Sequence, residues 1–287
     1  AWPLYGLRWS LILLNEFLQD VWHKRAYAND NLRRQHKNKL ASQLIKASYV
    51  FLFILMATQP SLSQTISSPL VQVSMLEVYS SQGCSSCPPA ERWMSKFKDD
   101  KRLWRQLVPM NFHVDYWDYL GWKDPYASSI FTQRQRDYKA LGLSPSVATP
   151  GFVVSGFGWN GWFRGRSVPV SAPKAVGVLT ARIAKSSAHI TFNPVVKITA
   201  ALTVHVAILG FDQITDVKRG ENSGKQLPHD FVVMAYDTNA LDLQKSGYRK
   251  TIKLPDASQY TSKKQALVFW VSQEGDPTPI QVAADWW

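Results

Sequence analysis

The chain has 287 residues, of which 45% are hydrophobic and 19% are charged. This composition excludes a disordered or fibrous protein, and the length is enough for two domains of ordinary size. A formal net charge of +12 raises the question of a nucleic-acid or membrane-surface partner. Residues 1–46 hold +5 of that charge, and the other +7 is scattered without a basic helix or a nucleic-acid motif. We therefore expect no nucleic-acid partner.

The first 63 residues are predicted to be a targeting region outside the mature fold. Residues 1–46 are interpreted as an extension, and residues 47–63 as the core and cleavage region of a signal peptide. A basic flank, an uncharged apolar run at 49–57 and the small residues of Ser61-Leu62-Ser63 are the three parts of a secretory signal. The mature chain would begin at Gln64.

The same apolar run argues against a membrane-spanning helix, because such a helix needs about 20 apolar residues. A buried helix or a membrane anchor is the alternative interpretation of this run. The favoured interpretation predicts a secreted or periplasmic protein without an integral membrane span in its mature part. Its compartment would be oxidising.

Residues 71–185 alternate between strand and helix patterns. The predicted elements are a strand at 75–79, a helix that begins near 88, a strand at 107–114, a helix at 128–141, a hairpin at 152–163 and a helix at 172–184. Ile130, Phe131, Tyr138 and Leu141 are expected on the inner side of the second helix.

Residues 187–287 show only strand patterns. Leu202, Val204, Val206 and Ile208 alternate with less apolar residues, which is the period-two signature of a strand. Further strand-like runs follow, separated by turn residues. This segment is predicted to be a small antiparallel sandwich or an accessory sheet.

Both cysteines of the chain lie in one motif, Cys84-Ser85-Ser86-Cys87, between a predicted strand and a predicted helix. This is the thioredoxin-type redox arrangement. A thiol at a helix start has a lowered pKa, since free N–H groups and the helix dipole favour the thiolate. Cys84 is predicted to attack, and Cys87, one turn further on, to resolve the mixed disulfide. A disulfide that closes so short a loop adds little stability. A redox role therefore explains the cysteine pair better than a structural role.

Other interpretations of the cysteine pair stay open. One is that the pair is half of a zinc site, and another is that the pair is inert. Structural zinc needs four ligands, and the chain has no second cysteine pair. His113 and His229 are able in principle to complete such a site, but their spacing does not indicate it. We predict neither a bound metal nor a cofactor.

A proline agrees with the redox interpretation. Thioredoxin-like folds place a cis-proline before the third core strand, facing the disulfide, and Thr149-Pro150 precedes the predicted strand at 152–154. Cis X-Pro bonds are uncommon, so this is a specific prediction, with an ordinary turn proline as the alternative. The predicted fold class is α/β, with a thioredoxin-like domain at 71–185 followed by a smaller all-β, sandwich-like domain at 187–287.

The chain resembles domain-of-unknown-function family 1223, secreted proteins of a thioredoxin-like fold. The resemblance covers about Met75 to the C-terminus and implies the fold, secretion and the paired cysteines, without a settled activity. The long N-terminal extension and the aromatic stretch at 156–162 differ from the family pattern. The matching stretches are 77–90, 113–118, 121–125, 131–138, Thr149-Pro150 and 219–222.

Acidic and aromatic residues follow the second predicted strand, at the sheet edge where ligands of open α/β sheets bind. Asp115 is a candidate general base that takes a proton from Cys87, and a helix cap or a surface carboxylate is the alternative. Asp118 is a second candidate for that role. Tyr116, Trp117 and Trp122 are candidates for an apolar rim that binds an extended peptide, with core packing as the alternative.

Three further features have plainer expectations. Arg134 and Arg136 point different ways on one helix, and a solvated face is expected for both. The glycine-containing loop Lys218–Lys225 either binds a ligand or braces the two predicted domains. His205 and His229 are expected to be structural.

Two functions from different classes fit these observations. The first is a secreted or periplasmic thiol–disulfide oxidoreductase that acts on protein or peptide disulfides. The second is a non-enzymatic thioredoxin-like binding module, or a carrier that holds copper or another soft ion through the same cysteines.

Overall fold

The computed structural model of the protein describes residues 37–49 and 64–287. Residues 37–49 form helix α1 and belong to a separate unit from residues 64–287. Most of the predicted extension and nearly all of the predicted signal region lie outside the described residues. Within the described part of the chain, no helix combines the length and the apolarity needed to cross a membrane.

Residues 64–287 form two α-helices, several short 3-10 turns and fifteen strands. The helices are α2 (Pro88–Ser95) and α3 (Ser129–Ala140). The strands are β1 (Gln64–Ser67), β2 (Ser74–Ser80), β3 (Leu107–His113), β4 (Gly151–Val154), β5 (Phe157–Gly158), β6 (Gly177–Ala184), β7 (Ser187–Pro194), β8 (Leu202–Gly210), β9 (Gln213–Asp216), β10 (Gln226–His229), β11 (Val232–Ala240), β12 (Asp242–Gln244), β13 (Gly247–Lys253), β14 (Gln265–Gln273) and β15 (Gln281–Trp286).

Three sheets hold these strands. The largest has eight strands in the order β15-β14-β8-β11-β3-β2-β4-β5. β2 and β3 are parallel, and β3 meets β11 through the single parallel pair Asn111 and Val232. A five-stranded antiparallel sheet has the order β1-β6-β7-β13-β12, and β9 and β10 form a separate hairpin.

The central strands of the large sheet are buried on both faces. Along β14, Val268 and Trp270 enter one core cluster, whereas Leu267 and Phe269 enter the other. The first cluster also takes side chains from α2 and α3, and the second takes side chains from the five-stranded sheet. This alternation follows from the period of two along a strand, and burial on both sides explains why these strands are so apolar.

The predicted fold class is wrong. Residues 64–287 are mostly β-sheet, with three sheets and two α-helices, and they do not form a helix-flanked thioredoxin-like α/β core followed by a separate sandwich. Strands from both predicted segments join in one eight-stranded sheet, because β3 of the first segment pairs with β11 of the second.

Local predictions had mixed outcomes. The strands at 75–79 and 107–114 and the helix at 128–141 are confirmed to within two residues. The predicted helix at 172–184 is wrong, because Gly177–Ala184 forms β6, in which Leu179, Ala181 and Ile183 point inward alternately. Ile130 and Leu141, expected on the inner side of α3, are exposed.

Candidate functional site

The cysteine motif connects the end of β2 to the start of α2. Cys84 and Cys87 form a disulfide with a Cα–Cα distance of 5.5 Å, and Cys87 is the residue that caps α2. The Cys87 carbonyl accepts the backbone N–H groups of Ala90 and Glu91. Pro88 and Pro89 occupy the first turn, where a backbone N–H is not needed. A thiolate formed on reduction of Cys87 would therefore lie at the positive end of the helix.

Both cysteines are almost completely covered, with 1% of Cys84 and 0% of Cys87 exposed. Within the four-residue motif, only Ser85 and Ser86 are exposed. Ser86 Oγ lies 3.3 Å from Cys84 Sγ. Attack on the disulfide therefore requires a part of its surroundings to move.

The cover comes partly from the loop Lys218–Lys225, which joins β9 to β10 and which we call the strap. Asn222 is fully buried, and its Nδ2 donates to the carbonyls of Gln82 and Cys84, each at 2.9 Å. Glu221 Oε2 accepts the backbone N–H of Ser85 at 2.9 Å. The hydrogen bonds from Ser85 hold the pKa of Glu221 below its usual range. Of the two roles expected for this loop, the structure supports bracing, and what it braces is the cysteine motif.

The structure brings the cysteine motif and the predicted cis-proline together through one tryptophan. The Thr149–Pro150 bond is cis, as predicted. Trp117 Nε1 donates to Thr149 Oγ1 at 2.7 Å. On the other side, a Cβ placed on Gly83 would lie 2.9 Å from Trp117 Cβ, so only glycine allows this approach beside Cys84. Trp117 therefore bridges the disulfide turn and the Pro150 loop.

The other predicted site residues are tied to neighbouring elements. Asp115 Oδ1 accepts the hydroxyl of Thr132 on α3 at 2.6 Å. Tyr116 donates to Gln135 on the same helix at 3.1 Å. Trp122 Nε1 donates to Gln82 Oε1 at 2.9 Å. All three side chains are partly exposed, and of the three only Trp122 is hydrogen-bonded to a residue beside the cysteine motif.

Asp118 contributes to the backbone of the same region, since its Oδ1 accepts the N–H of Asp124 at 3.2 Å. Burial raises the pKa of Asp118. In the aromatic stretch at 156–162, the two tryptophans pack against the core, whereas Phe157 is exposed. Trp162 stacks on Phe152 at 5.2 Å between ring centroids, and Trp159 lies 6.2 Å from Trp93. A cavity of about 290 Å³ beside Pro150 is lined in part by Trp159 and Phe163.

A cluster that sequence reasoning did not assemble is buried beneath the motif. It contains Glu91, His113, Asp124 and His229, and we call it the histidine–carboxylate cluster. Glu91 contacts both histidines and accepts the hydroxyl of Ser80. His113 Nδ1 lies 2.7 Å from Asp124 Oδ2, and the two histidine rings are 5.2 Å apart. The four side chains are at most 5% exposed.

The charged groups in this cluster shift one another's pKa values toward the charged forms. Burial raises the pKa of Glu91, but His229 and His113 outweigh that effect and lower it to about 2. Burial lowers the pKa of His113, but Asp124 and Glu91 outweigh it, so the pKa is raised. Burial likewise opposes ionisation of Asp124, whose pKa is nevertheless lowered by His113.

A second buried polar cluster joins β2 to α3, and we call it the arginine–glutamate cluster. Arg134 binds Glu77 in bidentate fashion, with distances of 2.7 Å from Nε and 2.9 Å from Nη2. Tyr79 and Tyr138 donate to the same carboxylate. The prediction of a solvated face is therefore wrong for Arg134, which is 6% exposed, and correct for Arg136, which is exposed.

The fold and site define a class: a β-rich protein whose strand-to-helix turn carries a covered two-cysteine disulfide. The chain belongs to the family described as "Protein of unknown function (DUF1223)", whose match spans residues 75–272. The predicted family membership is therefore confirmed. The secretion that the resemblance implied remains a prediction.

Two solved structures are similar to the chain. One is the crystal structure of a protein from Agrobacterium tumefaciens, with 26% identity, a TM-score of 0.48, and coverage of 74% of this chain and 94% of that one. The other is HBP35 of Porphyromonas gingivalis, with 12% identity, a TM-score of 0.49 and coverage of 76% of each chain. None of the curated proteins is detectably similar to the chain.

Proposed function

We propose that the protein is a secreted or periplasmic thiol–disulfide oxidoreductase that acts on protein disulfides. The observation that carries this proposal is the Cys84–Cys87 disulfide at the start of α2. A disulfide across two intervening residues constrains the unfolded chain only slightly, so its stabilising value is small. The helix start, in contrast, favours the thiolate form of Cys87, which resolves the mixed disulfide in the exchange reaction.

In the reduced protein, the Cys84 thiolate attacks one sulfur of the substrate disulfide. The Cys84–substrate bond forms, the substrate S–S bond breaks, and the leaving substrate thiolate takes a proton from water. The Cys87 thiolate then attacks Cys84 Sγ, which forms the Cys84–Cys87 disulfide and releases the second substrate thiolate. The substrate gains two electrons, and an external thiol reductant restores the protein.

Neighbouring residues have supporting roles in this proposal. Thr149 and Pro150 face the substrate chain, because Trp117 holds their loop beside the cysteine turn. Tyr116, Trp117 and Trp122 form the rim on which an extended peptide lies. The strap must move away before exchange, since Asn222 and Glu221 bind the backbone of Cys84 and Ser85.

Turnover of a peptide with one intramolecular disulfide, with dithiothreitol as reductant, tests the proposal. We expect Cys84→Ser to abolish turnover and Cys87→Ala to trap a mixed disulfide through Cys84. Ser223→Ala, at an exposed strap position, is the matched control and should retain activity. Wild-type protein without exchange activity would contradict the proposal. Stoichiometric binding of Cu⁺ by the reduced but inactive chain would support the carrier function instead.

A further inference from the structure

We propose that Glu91, His113 and His229 form a binding site for a divalent transition-metal ion of the Zn²⁺ type. The cysteines are not ligands, so the site shares no reacting atom with the proposed exchange reaction. The ligands would be one carboxylate oxygen and two imidazole nitrogens. This is a donor set that Zn²⁺ commonly binds in proteins.

The geometry of the three side chains carries the proposal. One ligand atom from each residue lies within 4.8 Å of the other two, and all three residues are buried. Glu91 Oε1 is 3.6 Å from His113 Nε2, and Glu91 Oε2 contacts His229 Nδ1. The carboxylate therefore lies between the two nitrogens, and an ion bound to all three atoms would replace the direct contact between Glu91 and His229.

Asp124 orients His113 as a metal ligand. Its carboxylate lies 2.7 Å from His113 Nδ1, and it also accepts the backbone N–H groups of Gln82 and Tyr126. The Nδ1 proton of His113 therefore points to Asp124, which leaves the Nε2 lone pair facing Glu91. A carboxylate behind a ligating histidine is the usual outer partner of protein-bound zinc.

Charge balance favours the same occupant. Glu91 and Asp124 bring two carboxylates into a buried region beside two histidines and Tyr126. Buried charges need partners, and one divalent cation would bring two positive charges to the two carboxylates.

An unsatisfied amide marks a possible fourth ligand. Asn111 is fully buried, and its Oδ1 has no hydrogen-bond partner. Its Nδ2 lies 3.1 Å from His113 Nε2. Since amide nitrogen and oxygen exchange places on a half-turn, rotation brings Oδ1 to the ligand side of His113. The ion would then have Asn111 Oδ1 as its fourth ligand, and Nδ2 would take the position that is now without a partner.

The site would fasten the hairpin that carries the strap. Its ligands come from α2, the end of β3 and the end of β10. An isolated two-stranded hairpin is marginally stable in water. A metal bond from His229 to α2 would therefore hold β9, β10 and the strap over the disulfide. With Asn111 as the fourth protein ligand the site would be closed, as structural zinc sites are.

Gln82 distinguishes the metal site from a plain hydrogen-bond network. Its Oε1 accepts Trp122 Nε1, and its Nε2 lies 3.0 Å from His229 Nε2. In a plain network, Gln82 donates to His229. With metal on Nδ1, His229 Nε2 carries a proton and needs an acceptor instead. We expect Gln82→Glu to tighten metal binding, whereas a plain network predicts no binding before or after the change.

The experiment is a titration of the metal-stripped full chain, disulfide intact, with Zn²⁺ and with Co²⁺ as a spectroscopic probe. We expect one ion per chain and tetrahedral Co²⁺ bands without a thiolate charge-transfer band. Asp124→Asn should weaken binding about 10- to 100-fold, as outer-partner changes do, and His229→Gln should weaken it further. His189→Gln is the matched control, because His189 is exposed on β7 and should not matter.

The wild-type chain decides the outcome even if the buried variants do not fold. Absence of Zn²⁺ binding by folded wild-type protein would overturn the proposal. Binding of wild-type affinity in His229→Gln, or loss of binding in His189→Gln, would also overturn it, because the ion would then occupy another place. Loss of exchange activity in Cys84→Ser with unchanged Zn²⁺ binding would separate this site from the proposed reaction.

Discussion

The two buried polar clusters neutralise their buried carboxylates in different ways. In the arginine–glutamate cluster, one guanidinium neutralises one carboxylate, and two tyrosine hydroxyls and the Pro277 carbonyl complete the contacts. In the histidine–carboxylate cluster, two carboxylates face two histidines, and Asn111 Oδ1 beside them has no partner. The first cluster needs no ligand to balance its charge, whereas the second offers oxygen and nitrogen atoms that can bind a cation.

The clusters also differ in what they join. Arg134 fastens α3 to β2, both within the large-sheet region, and α3 also anchors Asp115 and Tyr116. His229 fastens a separate hairpin to α2, beside the disulfide. We therefore expect the first cluster to control stability, and the second to control access to the cysteines.

The largest expected effect is on the arginine–glutamate cluster. Arg134→Met leaves the Glu77 carboxylate buried without its cation, which should cost about 3–5 kcal/mol of unfolding free energy. Denaturant unfolding measures it. Arg136→Met, two positions away and exposed, is the control and should stay within about 0.5 kcal/mol of wild type. Equal effects of the two changes would show that the ion pair is unimportant.

A smaller effect is expected where the strap meets the cysteine turn. Asn222→Ala leaves the buried carbonyls of Gln82 and Cys84 without their donor, at a cost of about 1–3 kcal/mol. The disulfide should then be reduced faster by dithiothreitol, because the strap is released. Unchanged reduction kinetics, compared with Ser223→Ala, would mean that the strap does not limit access.

The pH dependence of stability should report on His205, which lies near Arg134. Burial, and then Arg134, lower the pKa of His205 well below its usual value. The unfolded chain therefore binds a proton near pH 6.5 that the folded chain does not. Stability should fall as pH drops below that value, by at most about 1.4 kcal/mol per pH unit. His205→Gln should flatten this part of the profile, and an unchanged profile would contradict the assignment.

The smallest effect is expected at Asp115. Its carboxylate is bonded to Thr132, so Asp115→Asn should cost about 1 kcal/mol of stability. If Asp115 only anchors α3, peptide-disulfide turnover stays at the wild-type rate at every pH. A loss of turnover that depends on pH would instead support the general-base role that the sequence suggested.

Local patterns predicted local structure well. The strand at 107–114 and the helix at 128–141 have strong apolar runs or spacing, and the cysteine motif and cis-proline carry specific short signals. The fold class failed because it depends on a long-range event, the pairing of Asn111 with Val232 across two segments that look independent. Gly177–Ala184 was misjudged because small residues weaken its alternation.

Of the candidate site, the sequence predicts the cysteine motif but not the histidine–carboxylate cluster, for the same reason. Cys84 and Cys87 are three residues apart, whereas Glu91 and His229 are separated by 138 positions. His113 and His229 were the two histidines able to join a metal site, but no spacing connected them. Their convergence depends on the β9–β10 hairpin, whose position over α2 no local pattern reveals.

The central claim is that the Cys84–Cys87 disulfide is redox-active, and its reduction potential tests this most directly. The folded protein should be equilibrated with defined thiol–disulfide buffers and the free thiols counted. We predict a potential between about −270 and −120 mV, the range of thioredoxin to strong oxidants. A value below about −300 mV, where structural disulfides lie, or a disulfide that never equilibrates in the folded protein, would contradict the account.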